Sequence, residues 1–393
     1  MQLRTHFAET FGRAPEGVWS APGRVNLIGE HTDYNDGLAL PIALPQRTYA
    51  AAARRDDGRL RVRSVQTGEV VEVALDDIGP GTPGGWAAYA AGVPWALREA
   101  GYAVGGADVI LDGRVPLGSG LSSSAALECA VGAALSDLYG LGLLADDANR
   151  RRLVEVCRRA ENDIAGAPTG GMDQSASLLA TAGHALLLDC RDGATEQVPF
   201  PIDEAELTLL VIDTRAEHAL VDGQYAARRT SCERAAAALG VPSLREIEPA
   251  DLTTAATRLG AKGHVEGESS EVLARRVRHV VTEIARVREA VAAMRAGDWA
   301  ELGRLFTASH ASLRSDFEVS CPELDLVTAA AESAGALGAR MTGGGFGGSA
   351  IALVPKELVE RVTELLKRLA IDAGFPEPAT FAVYPGPGAG RDD

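Results

Sequence analysis

Pro116-Leu117-Gly118-Ser119-Gly120-Leu121-Ser122-Ser123-Ser124-Ala125-Ala126 joins an apolar run at 107–111 to an alanine- and leucine-rich segment at 124–139. The run reads as a strand and the segment as a helix, so the junction is a strand–loop–helix connection. Its two glycines let the backbone turn tightly and approach a ligand closely. Its three serines stand where the helix begins. A helix N-terminus presents unpaired N–H groups and about half a positive charge, which suits phosphate. Serine hydroxyls add hydrogen bonds, and one can ligate Mg2+. A plainer reading is a capped helix after a flexible turn, where a serine cap contributes about 1 kcal/mol. The length and restriction of the PxGxGLSSSAA string favour phosphate binding. The P-loop pattern GxxxxGK[ST] is absent, and the first lysine of the chain is Lys262. The HRD and DFG motifs of protein kinases are also absent. A nucleotide held here is held without a lysine.

Outward from this loop, strands and helices mix without strict βαβ alternation, which predicts an α+β fold. Helices are expected at 3–11, 86–99, 124–139, 149–163, 173–180, 223–239, 270–296 and 356–373. Strands are expected at 23–28, 48–53, 60–64, 70–75, 107–111, 185–189, 207–213, 350–354 and 380–384. The pairs at 60–64 and 70–75 alternate as in an antiparallel sheet. The glycine- and proline-rich tail 385–393 is expected to fray. With 393 residues the chain suggests two domains, and the divide is placed at 196/197.

Acidic residues number 54 against 38 basic ones, a net charge of −16. That balance argues against nucleic-acid and anionic-membrane partners, because both demand a basic surface. The longest apolar runs fall short of the eighteen or so residues of a membrane span. Five cysteines, Cys129, Cys157, Cys190, Cys232 and Cys321, are odd in number and widely spaced. They fit free thiols in a reducing, cytoplasmic setting.

Four further stretches carry polar side chains in suggestive order. Gly23-Arg24-Val25-Asn26-Leu27-Ile28-Gly29-Glu30-His31-Thr32-Asp33-Tyr34-Asn35 places Glu30, His31 and Asp33 within four residues of a strand end. A solvated acidic turn and half of a metal-hydrolase site are the alternatives, and the latter lacks a second His/Asp cluster. Gly170-Gly171-Met172-Asp173-Gln174 puts Asp173 at a helix start, where an aspartate is otherwise an ordinary cap. Glu161 closes a helix, where its charge opposes the helix dipole, unless it pairs with Arg158 or Arg159. Met341-Thr342-Gly343-Gly344-Gly345-Phe346-Gly347-Gly348 is a glycine run that a structural hairpin would also explain.

Taken together, these motifs resemble those of the GHMP small-molecule kinases. The loop at 116–126 is similar to their second motif, the glycine run to their third, and the stretch at 23–35 to the signature of the galactokinase branch. The resemblance covers nearly the whole chain. It implies a two-domain fold with mixed and antiparallel sheets and an active site in the cleft between the domains. It implies transfer of the γ-phosphate of ATP to the C1 hydroxyl of D-galactose, with a kinase for N-acetylgalactosamine or arabinose, or a non-catalytic galactose and ATP sensor, as alternatives. The intact residues 122–126 favour an enzyme over a sensor. By the same resemblance Asp173 is the base or orienter of the sugar hydroxyl and Arg24 stabilises the transition state. Glu30, His31, Asp33, Gly171 and Tyr225 bind the sugar, although Tyr225 could instead be a core residue on a helix face. Ser64, Gly118, Ser119, Gly120, Leu121, Ser122, Ser123 and Ser124 bind the nucleotide, and Ser124 and Glu161 hold Mg2+. Arg24 could equally pair with Asp173, and both roles are compatible. The expected assembly is a monomer or weak homodimer. Ser119 departs from the alanine common in the family, and the segment at 166–169 lacks a cysteine that many relatives carry.

Overall fold

The computed structural model describes residues 2–216 and 221–393. The chain opens with helix α1 (Gln2–Phe11) and strand β1 (Gly17–Asn26), followed by β2 (Leu38–Ala39), β3 (Pro41–Arg55), β4 (Arg59–Ser64) and β5 (Val70–Ala74). Helix α2 (Trp86–Glu99), β6 (Gly106–Gly113), α3 (Ser123–Leu138), α4 (Asp147–Arg159) and α5 (Met172–Leu179) come next. A π-turn at Ala160–Ala165 extends α4. Strands β7 (His184–Asp189), β8 (Ala194–Pro199) and β9 (Leu207–Asp213) lead to α6 (Val221–Leu239) and α7 (Leu252–Gly260). The short hairpin β10 (His264–Val265) and β11 (Glu268–Ser269) precedes α8 (Ser270–Ala296), α9 (Trp299–Ser312) and α10 (Pro322–Ser333). The chain ends with β12 (Gly338–Thr342), β13 (Ser349–Pro355), α11 (Val359–Asp372), β14 (Ala379–Val383) and β15 (Gly390–Arg391).

One sheet has the order β15-β1-β3-β6-β4-β5. It is mixed, because β4 runs parallel to β6 while its other pairings are antiparallel. Its centre is β3, where Ala50, Ala51, Ala52 and Ala53 are all fully buried. Successive residues of a strand face opposite sides. Ala51 and Ala53 accordingly meet Phe7 of α1 on one face, while Ala50 and Ala52 join the α2–α3–α4 core on the other. Small side chains there let helices lie close on both faces. A second sheet, β12-β13-β9-β14, is antiparallel throughout, and β2-β7-β8 forms a third.

Four expectations change. The divide at 196/197 falls inside β8, which pairs with β7 along its whole length, and the chain leaves that sheet at 200–206. The pair at 60–64 and 70–75 is antiparallel as expected, but the sheet it belongs to is mixed, because it enters through the parallel neighbour β6. The tail does not fray: β15 pairs with β1, Arg47 donates to the carbonyls of Pro387 and Gly388, and Arg150 donates to that of Ala389. Elements β2, β8, α7, β10, β11, α9, α10, β12 and β15 are absent from the expected segments.

Strand β12 carries a fully buried arginine that ties the two halves together. Arg340 Nη1 donates to the carbonyls of Asn26 and Leu27, both at 3.0 Å, at the end of β1. Its Nε donates to Ser309 on α9, and its guanidinium lies 3.5 Å from Glu30 and 3.9 Å from Glu283. Glu283, also fully buried, accepts from the Gly29 N–H and from Ser309, and pairs with Arg286. Burial alone would raise its pKa, but Arg286, His279 and Arg340 outweigh that and hold it at about 2.

Removing one partner from such a buried set costs about 3–5 kcal/mol, because an uncompensated charge remains. Arg340→Met should therefore lose about that much stability in urea unfolding, and adding Glu283→Gln should restore part of it. A loss under about 1 kcal/mol would show that the clamp does not hold the two halves together.

Candidate active site

A cleft of about 880 Å³ lies where these halves meet. It is lined by the loop after β1 (Arg24, Glu30, His31, Asp33), the loop before α3 (Gly118 and residues 120–124), Glu161, Asp173, Tyr225 and the glycine run at 343–345. Almost every polar residue singled out from the sequence thus comes together in one space.

The floor is built around Arg24, which β1 delivers 5% exposed. Its Nε and Nη2 both lie 2.8 Å from Asp173 Oδ1, and its Nη1 donates to the Gly120 carbonyl at 2.6 Å. The other Asp173 oxygen accepts from the Ser122 hydroxyl at 2.5 Å. Asp173 is the second residue of α5, and the capping position is Gly171, so Asp173 is not a helix cap. Its carboxylate is instead fixed from two sides at the mouth of the 118–124 loop.

That loop is folded as its composition requires. Gly118 and Gly120 have φ of 70° and 73°, and Ser122 sits at φ 58°, in the left-handed region that non-glycine residues seldom occupy. Strain of this kind persists where surrounding contacts over-determine it, and here Ser122 is held by its bond to Asp173. The glycine run braces the loop from the second half. A Cβ on Gly343 would stand 2.8 Å from the Gly120 carbonyl oxygen, so only glycine permits that approach. Ser349 donates to the Ser119 carbonyl, which completes the brace.

On the opposite wall, Glu30 Oε1 accepts from the Gly343 N–H at 2.8 Å and Thr342 Oγ1 at 3.2 Å, and Oε2 accepts from Asn26 Nδ2 at 3.0 Å. Glu30 therefore joins the two halves as well as facing the cleft. His31 Nε2 lies 3.2 Å from the Gly344 carbonyl, an acceptor, so that nitrogen carries the proton. Nδ1 then accepts from the Tyr34 hydroxyl at 2.8 Å. Burial, with a smaller push from His279, holds the His31 pKa at about 3, so the ring is neutral. Tyr225 packs its ring 5.4 Å from His31 and 5.5 Å from Tyr34, placing it on the cleft wall and not in the core. Asp33 is pushed up to about 6 by burial and by the nearby Asp173 charge. A Cβ on Gly170 would strike the Asp33 carboxylate at 2.2 Å, so this glycine makes room for it.

Glu161 lies in the π-turn, 6% exposed. Arg158 pairs with Glu155 and Arg159 with Asp163, so the alternative ion pair for Glu161 is not formed. Glu161 instead accepts a hydrogen bond from Gln174, and the Ser124 hydroxyl nearby also favours its charged form. Burial and the Asp173 charge push its pKa to about 7.

Three expected site residues point elsewhere. Ser64 does not line the cleft; its hydroxyl accepts from the Thr67 N–H in the turn after β4. The Ser119 side chain is buried and donates to the Pro116 carbonyl. Gly171 caps α5 and accepts from Ser175, and it is Gly170 that meets Asp33. Tyr89, Thr169 and Met172 line the cleft without having been singled out. Tyr89 carried no sequence signal, whereas Thr169 and Met172 flank the Gly170-Gly171 pair.

Comparisons with known proteins agree with this geometry. Residues 5–54 match the family described as "Galactokinase galactose-binding signature", residues 88–181 "GHMP kinases N terminal domain" and residues 290–371 "GHMP kinases C terminal". A galactokinase of Streptomyces coelicolor is 51% identical over 386 residues, covering 98% of this chain and 96% of its own. A galactokinase of Homo sapiens is 42% identical, covering 90% and 87%. The crystal structure of Lactococcus lactis galactokinase complexed with galactose superposes with a TM-score of 0.88 at 34% identity, over 100% of this chain and 99% of that one. With the motifs in order along the chain and gathered in one cleft, the chain belongs to the galactokinase family of GHMP kinases.

Proposed function

We propose that this chain transfers the γ-phosphate of ATP to the C1 hydroxyl of D-galactose, giving galactose 1-phosphate and ADP. The observation that carries the reading is the Asp173 carboxylate held between Arg24 and Ser122, where the sugar-facing loop meets the phosphate-facing loop. The galactose named in the Lactococcus lactis complex supports the choice of sugar.

Phosphoryl transfer needs positioning and charge stabilisation more than covalent help. The backbone of residues 118–124 and the α3 N-terminus face the phosphates, and Arg24 offers fixed positive charge to the transferring oxygens. Asp173 accepts or orients the proton of the sugar C1 hydroxyl, and Arg24 keeps its carboxylate aimed. Glu30, neutral His31, Asp33 and Tyr225 form the wall that receives the sugar hydroxyls and ring face. Asp33 is the carboxylate there that is least neutralised by partners, which suits it to accept from hydroxyls.

Ser124 and Glu161 would hold Mg2+, and the donor set fits. A hydroxyl and a carboxylate both line the cleft there, and burial and the Asp173 charge outweigh the Arg24 charge at the carboxylate. Mg2+ commonly takes one or two carboxylates and fills its shell with water and phosphate. When bound, Mg2+ supplies charge neutralisation to the phosphate oxygens. No helix among the described residues is long and apolar enough to cross a membrane. The acidic balance and the five free cysteines support a cytoplasmic enzyme.

Asp173→Asn should lower kcat about 10²–10⁴-fold while calorimetry still detects galactose and ATP analogue binding. Near-normal turnover would remove Asp173 from the reaction. In a sugar panel, galactose should give the highest kcat/KM, and a higher value for N-acetylgalactosamine or arabinose would reassign the substrate.

A pH dependence follows from the raised carboxyls. In the folded chain Asp33 keeps its proton to about pH 6 and Glu161 to about pH 7, against ordinary values of 3.8 and 4.5. The folded chain thus binds more protons than the unfolded one in that window. Their contribution to stability is full below the unfolded pKa values and is lost as pH rises through 6 to 7. Thermal unfolding between pH 4.5 and 8 should show this decline flattened in Glu161→Gln; parallel curves for the two proteins would contradict it.

A further inference from the structure

Behind Glu161 lies a buried chain of polar groups that the reaction does not use directly. Gln174, the residue after Asp173 on α5, is fully buried. Its side-chain Nε2 donates to Glu161 Oε2 at 2.5 Å and to Glu128 Oε2 at 3.1 Å. Glu128 is also fully buried, on α3 four residues beyond Ser124. Residues four apart share a helix face, so α3 turns Ser124 and Glu128 toward the same neighbour. Ser124 reaches the cleft, and Glu128 does not line it.

The arrangement is costly and specific. Glu128 Oε1 and Gln174 Oε1 are buried without hydrogen-bond partners, and a buried polar atom left unpaired costs about 1–3 kcal/mol. Burial and the charge of Glu161 raise the Glu128 pKa well above the ordinary carboxylate range. A glutamate in such a place gives the fold no packing that leucine would not give. What it does give is a second acceptor for the Gln174 amide, whose two N–H bonds then point in fixed directions.

We infer that Gln174, held in place by Glu128, is a positioning residue that fixes the Glu161 carboxylate against Ser124, so that cation affinity in the cleft depends on a glutamate that never reaches it. The inference rests on the proposal that Ser124 and Glu161 hold the divalent ion. Partners behind a ligand commonly change metal affinity by about 10–100-fold. The same amide belongs to the residue beside Asp173, so the ion's carboxylate and the base are set by one turn of α5.

The test is Mn2+ binding to the full chain with a non-hydrolysable ATP analogue, followed by loss of the free-ion electron paramagnetic resonance signal. Glu161→Gln, Gln174→Leu, Glu128→Leu and Glu128→Gln are compared, with galactose affinity and thermal unfolding measured on each. Gln174→Leu and Glu128→Leu should each weaken Mn2+ binding about tenfold while galactose affinity stays within about twofold. Glu128→Gln keeps an acceptor for the Gln174 amide and should bind Mn2+ nearly as the parent does. If Glu161→Gln weakens Mn2+ binding but Gln174→Leu and Glu128→Leu do not, the positioning role is overturned while the metal site stands. If Glu161→Gln itself leaves Mn2+ binding unchanged, the metal site fails and the inference falls with it. Should Gln174→Leu not fold, the contrast between Glu128→Leu and Glu128→Gln decides: equal Mn2+ affinity in the two contradicts the inference.

Discussion

The ion pair between Arg24 and Asp173 is the contact on which the rest of the cleft depends. Arg24 comes from β1, Asp173 from α5, and the Gly120 carbonyl and Ser122 hydroxyl from the loop before α3. One guanidinium and one carboxylate thus register three pieces of chain that are distant in sequence. Isolated and exposed, such a pair would contribute little. Here the arginine is nearly buried, and each remaining polar atom of the pair is met by a fixed partner, the condition under which a buried pair holds its geometry.

The second constraint is charge balance. Asp33, Glu161 and Asp173 all face the cleft, and among the described residues lining it Arg24 is the one side chain with a permanent positive charge. Burial, with the Asp173 charge second, pushes two of the three carboxyls upward in pKa. A site so short of positive charge is poorly prepared for a triphosphate on its own, which is the physical case for a divalent ion entering with the nucleotide. The opposite wall solves its own balance differently: Glu30 is met by the Gly343 N–H, the Asn26 amide and the nearby Arg340, and His31 stays uncharged.

Much of this was legible in the sequence. The strand–loop–helix around residues 116–126, the helix at 86–99 and the strand at 207–213 are where pattern and glycine placement put them. The residues missed share a physical cause. Strand β12 is Gly-Ala-Arg-Met-Thr, and a fully buried arginine at its centre hides the apolar signature of an inner strand. Helix α9 buries Ser309, His310 and Ser312 beside that arginine and its neighbours, so after Leu302, Leu305 and Phe306 its inward face turns polar and the apolar period breaks off. Gln174 and Glu128 look like surface residues of helices until their partners are known. The tail, rich in glycine and proline, reads as loose because its anchors, Arg47 and Arg150, lie hundreds of residues away. Ser64, Ser119 and Gly171 rest on the resemblance alone; motif order fixes where a loop passes, not which of its atoms face the cleft.

The most direct test of the account is the identity of the product. Protein, ATP, Mg2+ and galactose are incubated together and followed by phosphorus nuclear magnetic resonance. The account predicts one new phosphomonoester signal, coupled to the anomeric proton of the sugar, growing in step with ADP. A phosphoester coupled to protons elsewhere on the ring, or ADP formed without any sugar phosphate, would contradict it.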